Sequence, residues 1–387
     1  MQTKLSEHLA DSAHGKKAAN IISACVHCGF CLATCPTYQL TGNELDSPRG
    51  RIYLIKSALE NNQASKSSLQ HLDHCLTCRS CETTCPSGVK YSELVGIGRE
   101  LLENKRSLWQ KASRSTVRRF LTKPALVNLS KPFAQQSAIK SPVIKPQVTR
   151  GRVLLLTGCV QPALTPNTNH ITKNVLSTLG YQVDETSQQA CCGAIDHHNA
   201  APTVALERIK ANIDNWLRSI ESGIETIIST ASGCGVMVKD YPTLFAPSDD
   251  YYLKASTVAE KTKDIAEFLI NQDLSPIQHQ AVNVSYHAPC SLQHGQKLPN
   301  LVERLLTTLG YELTPITDSH LCCGSAGTYS LFEPETSKQL RDNKLKNLTQ
   351  SQPDIIVTSN VGCQLHLSKG TKTPVRHWIE LLEPKAD

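Results

Sequence analysis

A cysteine run that occurs twice near the N-terminus constrains what this chain can fold into. The two copies are Cys25-Val-His-Cys28-Gly-Phe-Cys31-Leu-Ala-Thr-Cys35-Pro36 and Cys75-Leu-Thr-Cys78-Arg-Ser-Cys81-Glu-Thr-Thr-Cys85-Pro86. Each copy reads C-x2-C-x2-C-x3-C-P. Three thiolates spaced by two residues can surround one face of a metal–sulfur core, whereas the fourth, after three residues, points away. The closing proline has no N–H and a fixed φ, so it redirects the chain after each run.

The doubled run has the cysteine pattern of two-cluster bacterial ferredoxins, in which the fourth cysteine of one run binds the cluster of the other run. The sequence therefore predicts two [4Fe–4S] clusters. The first cluster is assigned to Cys25, Cys28, Cys31 and Cys85, and the second to Cys75, Cys78, Cys81 and Cys35. A pair of zinc sites is the alternative. Zinc sites usually use two separated pairs of ligands, so zinc does not explain why four evenly spaced cysteines precede a proline in both runs.

The bulk sequence predicts neither a secretory leader nor a membrane span. The chain has 387 residues and 16 cysteines, but their metal-type spacings argue against a disulfide-rich secreted protein. Residues 1–20 lack the apolar core of a signal peptide, and no apolar run approaches the ~20 residues of a membrane span. We expect a cytoplasmic protein, peripheral on the inner face of the cytoplasmic membrane.

Residues 1–103 are expected to form an α-rich, ferredoxin-like domain. Between the two cysteine runs, Ile52 and Ile55 recur at helical spacing, which predicts a helix packed across the clusters. Arg49 and Arg51 at the start of this helix could balance cluster charge or dock an acidic partner. A solvated helix start explains the same two residues equally well.

Residues 104–150 form a basic connecting segment. From Asn104 to Arg152 there are twelve Lys or Arg and no Asp or Glu, whereas the whole chain has a net charge of only +6. The first half alternates apolar and basic residues, as in helices that lie on an anionic membrane or on another subunit. Its central arginines are Arg114, Arg118 and Arg119.

The second half of this segment contains four prolines, so a linker is predicted there. An ordinary solvated connector is the alternative for the whole segment. No nucleic-acid recognition module accompanies the charge, and we expect no nucleic-acid partner.

From residue 151 onward the cysteine pattern is duplicated. Cysteines 159, 191, 192 and 234 recur at 290, 322, 323 and 363, offset by 131 residues for the first three and 129 for the last. This offset defines two repeats, assigned to residues 151–270 and 281–387. Each repeat opens with an apolar strand and then alternates helices with strands, so the predicted fold class is α/β, with a small parallel sheet in each repeat. The first and last cysteines of a repeat follow strands, where open α/β sheets place their ligands.

Each repeat thus offers four thiols, two of them adjacent and followed by a glycine. We call the sets the first Cys-Cys-Gly set (Cys159, Cys191, Cys192, Cys234) and the second Cys-Cys-Gly set (Cys290, Cys322, Cys323, Cys363). A set could bind a further iron–sulfur cluster, bind zinc or act as redox thiols, or remain without a metal. Scattered buried cysteines would not duplicate their spacing, so we expect a real site and leave the metal open.

Several histidines flank these cysteines and could bind a metal, relay a proton or hydrogen-bond a quinone. They are His197, His198, His287, His294, His320 and His366. Any one of them, taken alone, is more commonly a core or surface histidine without a functional role. His287 and His320 have the strongest positional claim, because each closely precedes a cysteine of the second set.

Common cofactor motifs are absent from the sequence. No G-x-G-x-x-G follows a predicted strand, and neither C-x-x-C-H nor a Walker loop occurs. A chain with clusters but without a flavin, nicotinamide or substrate site must receive its electrons from another protein. The sequence therefore predicts a subunit without catalytic residues of its own.

Several longer stretches carry a family resemblance. They include Glu44-Leu-Asp-Ser-Pro-Arg-Gly-Arg-Ile-Tyr-Leu54, Thr230-Ala-Ser-Gly-Cys-Gly235 and Ser319-His-Leu-Cys-Cys-Gly-Ser-Ala-Gly-Thr-Tyr329. With the doubled run, they resemble the iron–sulfur subunits of the heterodisulfide reductase-related superfamily, and more narrowly the glycolate oxidase iron–sulfur subunits. The resemblance covers nearly the whole chain and is weakest between about residues 104 and 150.

The resemblance implies the electron-transfer subunit of a glycolate dehydrogenase. In that family an FAD-binding subunit oxidises glycolate to glyoxylate, a second flavin-fold subunit assists, and the iron–sulfur subunit passes electrons to a membrane quinone. Related subunits serve lactate, glycerol 3-phosphate and 2-hydroxyglutarate, so another hydroxyacid is an alternative.

A thiol or disulfide reductase that uses the Cys-Cys-Gly sets is a further alternative. Superfamily members with a catalytic non-cubane cluster end the repeat in C-x-x-C. Here Met237 and His366 stand at the second cysteine position, which argues against that chemistry.

Overall fold

An all-helical N-terminal part is followed by two α/β repeats in the computed structural model. The structure describes residues 1–61, 65–139, 141–146, 149–186, 191–278 and 281–384. None of the helices it describes combines the length and the apolarity that crossing a bilayer requires.

Seven helices build the N-terminal part as described. They are α1 Glu7–Ala10, α2 Ala13–Ser23, α3 Pro36–Thr41, α4 Pro48–Asn61, α5 Lys66–Asp73, α6 Ser80–Thr84 and α7 Tyr91–Leu101, with 3-10 turns at Glu44–Asp46 and Glu103–Lys105. The predicted helix after the first cysteine run is α4, which starts where the Ser47 hydroxyl accepts a hydrogen bond from the Gly50 N–H at 2.9 Å. Its Ile52 and Ile55 are buried in the core of this part.

The basic segment contains the predicted amphipathic helix. The elements here are α8 Leu108–Thr122, α9 Pro124–Val127 and a 3-10 turn at Asn128–Phe133. Helix α8 begins with a capping box between Ser107 and Gln110. Beyond Phe133 the described residues form no helix or strand before residue 151, whereas α9 and the following turn occupy the start of the predicted linker.

Arginines of helix α8 form ion pairs with the rest of the protein. Arg114 lies 3.2 Å from Asp73 at the end of α5 and stacks over Phe332 of the second repeat at 4.6 Å. Arg118 pairs with the buried Asp196 of the first repeat at 3.2 Å. The sequence pattern predicts that this helix lies on a membrane or on another subunit, but Arg114 and Arg118 pair within the chain instead, and their charges connect the N-terminal part to both repeats.

Two four-stranded parallel sheets form the repeats, which confirms the predicted α/β fold. The strands are β1 Gly151–Leu156, β2 Tyr181–Asp184, β3 Thr226–Ser229, β4 Thr262–Asp264, β5 Ile277–Gln278, β6 Asn283–His287, β7 Glu312–Leu313, β8 Ile355–Thr358, β9 Val375–His377 and β10 Glu383–Pro384. The sheet orders are β2-β1-β3-β4 and β7-β6-β8-β9, and β5 pairs with β10 antiparallel.

The register is equivalent in the two sheets. Leu156 pairs with Ser229 at the end of β1 and β3, and His287 pairs with Thr358 at the end of β6 and β8. These are the carboxyl ends of the strands, from which the cysteine-bearing loops emerge.

The helices of the repeats cover both sheets. They are α10 Gln161–Leu164, α11 Pro166–Thr178, α12 Ala194–His198, α13 Pro202–Glu221, α14 Ser232–Lys239, α15 Asp250–Lys261, α16 Ile265–Leu269, α17 Leu301–Thr308, α18 Tyr329–Phe332, α19 Pro334–Thr349 and α20 Val361–Leu367. Short turns lie at Tyr241–Leu244, Ser291–Gly295 and Trp378–Leu381.

One apolar core is shared by the two repeats. It contains Leu155 and Ile228 from the first sheet, Val284 and Val357 from the second, and the fully buried Trp378. Each such side chain contributes about 1.5–3 kcal/mol by leaving water. The two repeats therefore stabilise each other as a unit.

The glycine of each Cys-Cys-Gly motif adopts a left-handed backbone conformation. Gly193 has φ +86° and Gly324 has φ +85°. A Cβ on Gly324 would lie 2.6 Å from the Ser337 carbonyl oxygen, so helix α19 packs directly on this loop. Only glycine satisfies both the conformation and the close approach.

We predict that Gly324→Ala lowers the free energy of unfolding by about 2–5 kcal/mol, the sum of left-handed strain and overpacking. Gly327→Ala is the matched control in the same loop, because Gly327 has φ +63° and a Cβ at this position would meet no atom of the described residues within 4 Å. The control should cost only the strain, about 1–2 kcal/mol. Chemical unfolding followed by circular dichroism measures both, and equal losses would contradict the packing argument.

Candidate metal centres

The first candidate centre is a cavity lined by the first cysteine run and the last cysteine of the second run. Cys25, Cys28, Cys31 and Cys85 border about 450 Å³ of space, and Cys81 also lines it. Cys85 therefore lines the cavity of the first run and not that of its own run, while the pairing itself stays a prediction.

The second centre is the complementary cavity. Cys75, Cys78 and Cys81 border about 350 Å³ together with Cys35 from the first run. The structure brings the two predicted sets of four cysteines together, each with one cysteine from the other run. Their role as cluster ligands stays a prediction.

The two runs fold with the same backbone conformation. In the first run His27 has φ 57° and Gly29 has φ 86°; in the second, Thr77 has φ 53° and Arg79 has φ 61°. Left-handed residues other than glycine cost about 1–2 kcal/mol each. Such strain concentrates at functional sites, where it holds ligands in position.

Burial disfavours the ionised form of these thiols unless a cation lies nearby. It raises the pKa of the Cys31 thiol to about 11. Burial, together with the neighbouring Cys290, raises the pKa of Cys78 well above its usual value. The cavities thus concentrate soft sulfur ligands whose ionised form needs cations, a donor set that fits iron–sulfur clusters.

A buried arginine lies beside the second cavity. Arg51 lines the cavity and is 1% exposed. Its guanidinium donates to the His71 carbonyl at 2.6 Å and to the Thr37 hydroxyl at 3.0 Å, and lies 3.4 Å from Asp46. The solvated alternative for this residue is therefore wrong, and its charge is available to balance anionic sulfur.

The two cavities differ in their access to solvent. Cys28 is exposed, and the first cavity is lined by the exposed side chains of Val26 and Phe30, at 68% and 61%. In the second set Cys35, Cys75 and Cys81 are buried. The first centre therefore faces outward and the second faces inward.

The second cavity adjoins the second repeat. Cys78 packs with Cys290 and Cys322 in one apolar cluster that also contains Leu76. The Thr83 hydroxyl is 3.0 Å from the ring of His294. The inner centre and the second Cys-Cys-Gly set are thus neighbours.

The first and last cysteines of each Cys-Cys-Gly set lie in loops or helices that follow strands. Cys159 follows β1 and Cys234 lies on α14, with equivalent positions in the second repeat. The Sγ atoms of Cys159 and Cys191 are 3.8 Å apart, and those of Cys290 and Cys322 are 3.9 Å apart. A tetrahedral ion with metal–sulfur bonds of about 2.3 Å has sulfur–sulfur edges of about 3.8 Å. In each set, one pair of thiols therefore lies at the sulfur–sulfur separation found around a single ion.

The flanking histidines have different surroundings. The rings of His197 and His198 contact each other on α12. His294 also contacts the His320 carbonyl at 3.1 Å. His366 approaches Ser337 at 3.1 Å, so it does not supply the missing ligand at the end of the motif.

His287 is the histidine that reaches the second set. One of its ring nitrogens and the thiols of Cys323 and Cys363 all lie within 4.8 Å of one another. The ring is 2% exposed, and neither nitrogen has a hydrogen-bond partner among the described residues. The sequence signal was its position three residues before Cys290.

Sequence reasoning missed a polar cluster between the inner cavity and the second repeat. The Nδ1 atoms of His71 and His74 lie 2.9 and 3.0 Å from one Asp46 oxygen, and His74 Nε2 lies 3.7 Å from Glu333 of the second repeat. Burial would raise the pKa of Asp46, but the two histidine hydrogen bonds outweigh it and lower that pKa to about 2. The signal was the i, i+3 spacing of the two histidines before Cys75.

Two family models match the chain. A model described as a 4Fe-4S dicluster domain matches residues 21–89, and one described as a cysteine-rich domain (CCG) matches residues 153–239 and 284–368. Fold and cysteine placement thus define an iron–sulfur protein in which a dicluster module precedes a duplicated cysteine-rich domain.

Relatives matched over most of the chain identify the family. The chain is 46% identical to the glycolate oxidase iron-sulfur subunit of Escherichia coli K12, over 99% of its own length and 98% of the relative. It is 28% identical to the probable glycolate oxidase iron-sulfur subunit of Bacillus subtilis 168, over 89% and 88%. Lactate utilization protein A of Bacillus velezensis is 26% identical over 60% of this chain and 100% of its own length. The chain belongs to the glycolate oxidase iron–sulfur subunit family, which confirms the resemblance seen in the sequence.

Proposed function

We propose that this chain is the electron-transfer subunit of a flavin-dependent glycolate dehydrogenase, delivering electrons from FAD on a partner subunit to a membrane quinone. The observation that carries the proposal is the pair of adjacent cysteine-lined cavities, each built from both cysteine runs. The identity to the Escherichia coli glycolate oxidase iron-sulfur subunit supports glycolate as the substrate of the partner, and the family resemblance implies a second flavin-fold subunit in the complex. No substrate site and no catalytic residue are assigned to this chain.

The ligand assignment follows the two cavities. Cys25, Cys28, Cys31 and Cys85 would hold the outer [4Fe–4S] cluster, and Cys75, Cys78, Cys81 and Cys35 the inner one. When bound, the clusters supply one-electron carriers. The chain's own contribution is to hold them side by side, to bury the inner one and to place Arg51 beside it. We assign this role to residues 1–103, with residues 104–150 as the connector and residues 151–270 and 281–387 as the two repeats.

Exposure suggests the direction of transfer. Phe30 and Val26 project from the loop of the first cysteine run, residues 25–35, which we call the outer loop. A flavoprotein can dock at these exposed apolar side chains. The inner cavity lies against the second repeat, so we place the quinone on that side of the molecule. In this proposal electrons pass from the exposed centre to the buried one.

The connector offers a second surface. Leu108 and Trp109 are 85% and 80% exposed at the start of α8, and Leu129 is 69% exposed. Exposed basic residues such as Arg119 and Lys123 lie on the same segment. We propose that this surface, rather than Arg114 and Arg118, contacts the anionic inner face of the cytoplasmic membrane.

Exchange of the fourth cysteines tests the ligand assignment. We expect Cys35→Ser and Cys85→Ser each to remove one cluster, lowering the reconstituted iron by about four atoms per chain. The cluster that survives in Cys35→Ser should be the exposed one, so an added paramagnetic complex should broaden its electron paramagnetic resonance signal strongly. The survivor in Cys85→Ser should be shielded.

The reverse accessibility would contradict the crossed pairing of the fourth cysteines. Failure of the reconstituted wild-type chain to show any reducible cluster would contradict the electron-transfer proposal itself.

Docking at the outer loop is tested with Phe30→Asp in the assembled complex. Loss of an exposed apolar contact and gain of a charge should slow cluster reduction by glycolate roughly tenfold, with iron content unchanged. Leu253→Asp is the matched control, because Leu253 is 74% exposed but lies in the first repeat. Equal slowing in both variants, or none in either, counts against docking at this loop.

The membrane surface is tested by sedimentation with phosphatidylglycerol vesicles. The double variant Leu108→Ser/Trp109→Ser should bind roughly tenfold or more weakly, because two apolar side chains no longer enter the interface. Leu331→Ser, a change at a side chain 54% exposed in the second repeat, should bind as wild type. Unchanged binding of the double variant would exclude this surface.

A further inference from the structure

We infer that the second Cys-Cys-Gly set binds a single tetrahedral divalent cation of the zinc type through His287, Cys323 and Cys363, and that the described residues of the first repeat provide no equivalent set of one imidazole and two thiols. The inference concerns a metal separate from the two ferredoxin-type clusters. It goes beyond the electron-transfer role proposed above.

Compactness is the first argument. The nitrogen of His287 and the two sulfurs lie within 4.8 Å of one another. Around one ion, with metal–sulfur bonds of about 2.3 Å and a metal–nitrogen bond of about 2.0 Å, donor atoms are separated by roughly 3.5–3.8 Å. Small side-chain rotations bring the three donors to that spacing. A multi-iron core placed between them would need the donors to lie further apart.

The unpaired imidazole is the second argument. His287 is buried at the end of β6, and both of its nitrogens lack a hydrogen-bond partner in the part of the chain that the structure describes. Buried polar groups are ordinarily satisfied, so an unsatisfied ring next to two thiols points to a ligand. A cation satisfies one nitrogen. The hydroxyl of Thr358, the register partner of His287 on β8, is also buried without a partner among the described residues and is available to the other.

The chemistry of the donors selects the class of metal. Imidazole nitrogen with thiolate sulfur is a donor set of tetrahedral Zn²⁺. Cys322 is not assigned, because adjacent cysteines share one ion poorly and Cys323 is already used. The fourth position falls to water, as at zinc sites with three protein ligands.

The two repeats differ at the decisive position. Aligning Cys159 with Cys290 places Leu156 at the position of His287. Leu156 is buried at the end of β1 and offers no ligand atom. His366 does not substitute, because its ring contacts Ser337. The duplication has therefore produced one nitrogen–sulfur site and one site of thiols alone.

Metal analysis of the reconstituted full-length chain tests the inference. The wild type, loaded with Zn²⁺ after cluster reconstitution and dialysed against a chelator, should retain about one zinc per chain. His287→Leu, which installs the residue of the first repeat, should bind zinc at least about a hundredfold more weakly with the same iron content. His366→Leu is the matched control and should retain the zinc.

X-ray absorption at the zinc edge gives a readout that needs no variant. The expected shell contains two sulfurs and two nitrogen or oxygen atoms. An all-sulfur shell, no zinc retained by the wild type, or equal retention by His287→Leu would each overturn the inference. The reducible cluster signal, measured on the same sample, reports on the proposed electron-transfer function independently.

Discussion

The N-terminal part depends on a crossing of the chain between the two cysteine-run loops. Each cavity needs one cysteine from the other run, so Cys35 must reach the second run while Cys85 reaches the first. The intervening α3, α4 and α5 must therefore fold back within one small core. That core supports the arrangement with fully buried side chains such as Ile55, Leu72 and Leu94. An insertion in this segment would have to leave Cys35 beside the second run and Cys85 beside the first.

Buried charge joins the N-terminal part to the repeats. Asp73 meets Arg106 and Arg114, while Asp196 meets Arg118 and Arg208. Both carboxylates are largely buried, so removal of a partner leaves a poorly compensated charge, which is far more costly than the loss of a surface ion pair. Three basic residues of the connector, Arg106, Arg114 and Arg118, thus neutralise acidic groups that it covers. The exposed remainder of its charge is what other surfaces can use.

Much of the architecture was predictable because it is encoded in local spacing. The doubled cysteine run, the duplicated offset and the apolar strands before Cys159 and Cys290 predicted the helical module and the parallel sheets. The destinations of long polar side chains were not predictable. A basic helix has the same pattern whether Arg114 faces lipid or Asp73, because the pattern does not contain the partner.

The same limit applied to the histidines. His366 occupies the motif position where a ligand is expected, yet its ring meets Ser337. His287 reaches Cys363 only because β6 and β8 pair in a particular register, which brings together residues distant in sequence. Tertiary placement, rather than motif spacing, decided between them.

Strain in the second cysteine run has a consequence for the order of assembly. The first run uses Gly29 at a left-handed position where the second run uses Arg79, so the second run costs more to form alone. The Arg79 side chain pairs with Asp240, 161 residues further along the chain, and this contact offsets part of that cost. During synthesis the outer loop can take its shape as soon as the N-terminal helices have formed. The loop of the second cysteine run gains the Arg79 contact only once Asp240 has been synthesised, so its full stability depends on a later part of the chain.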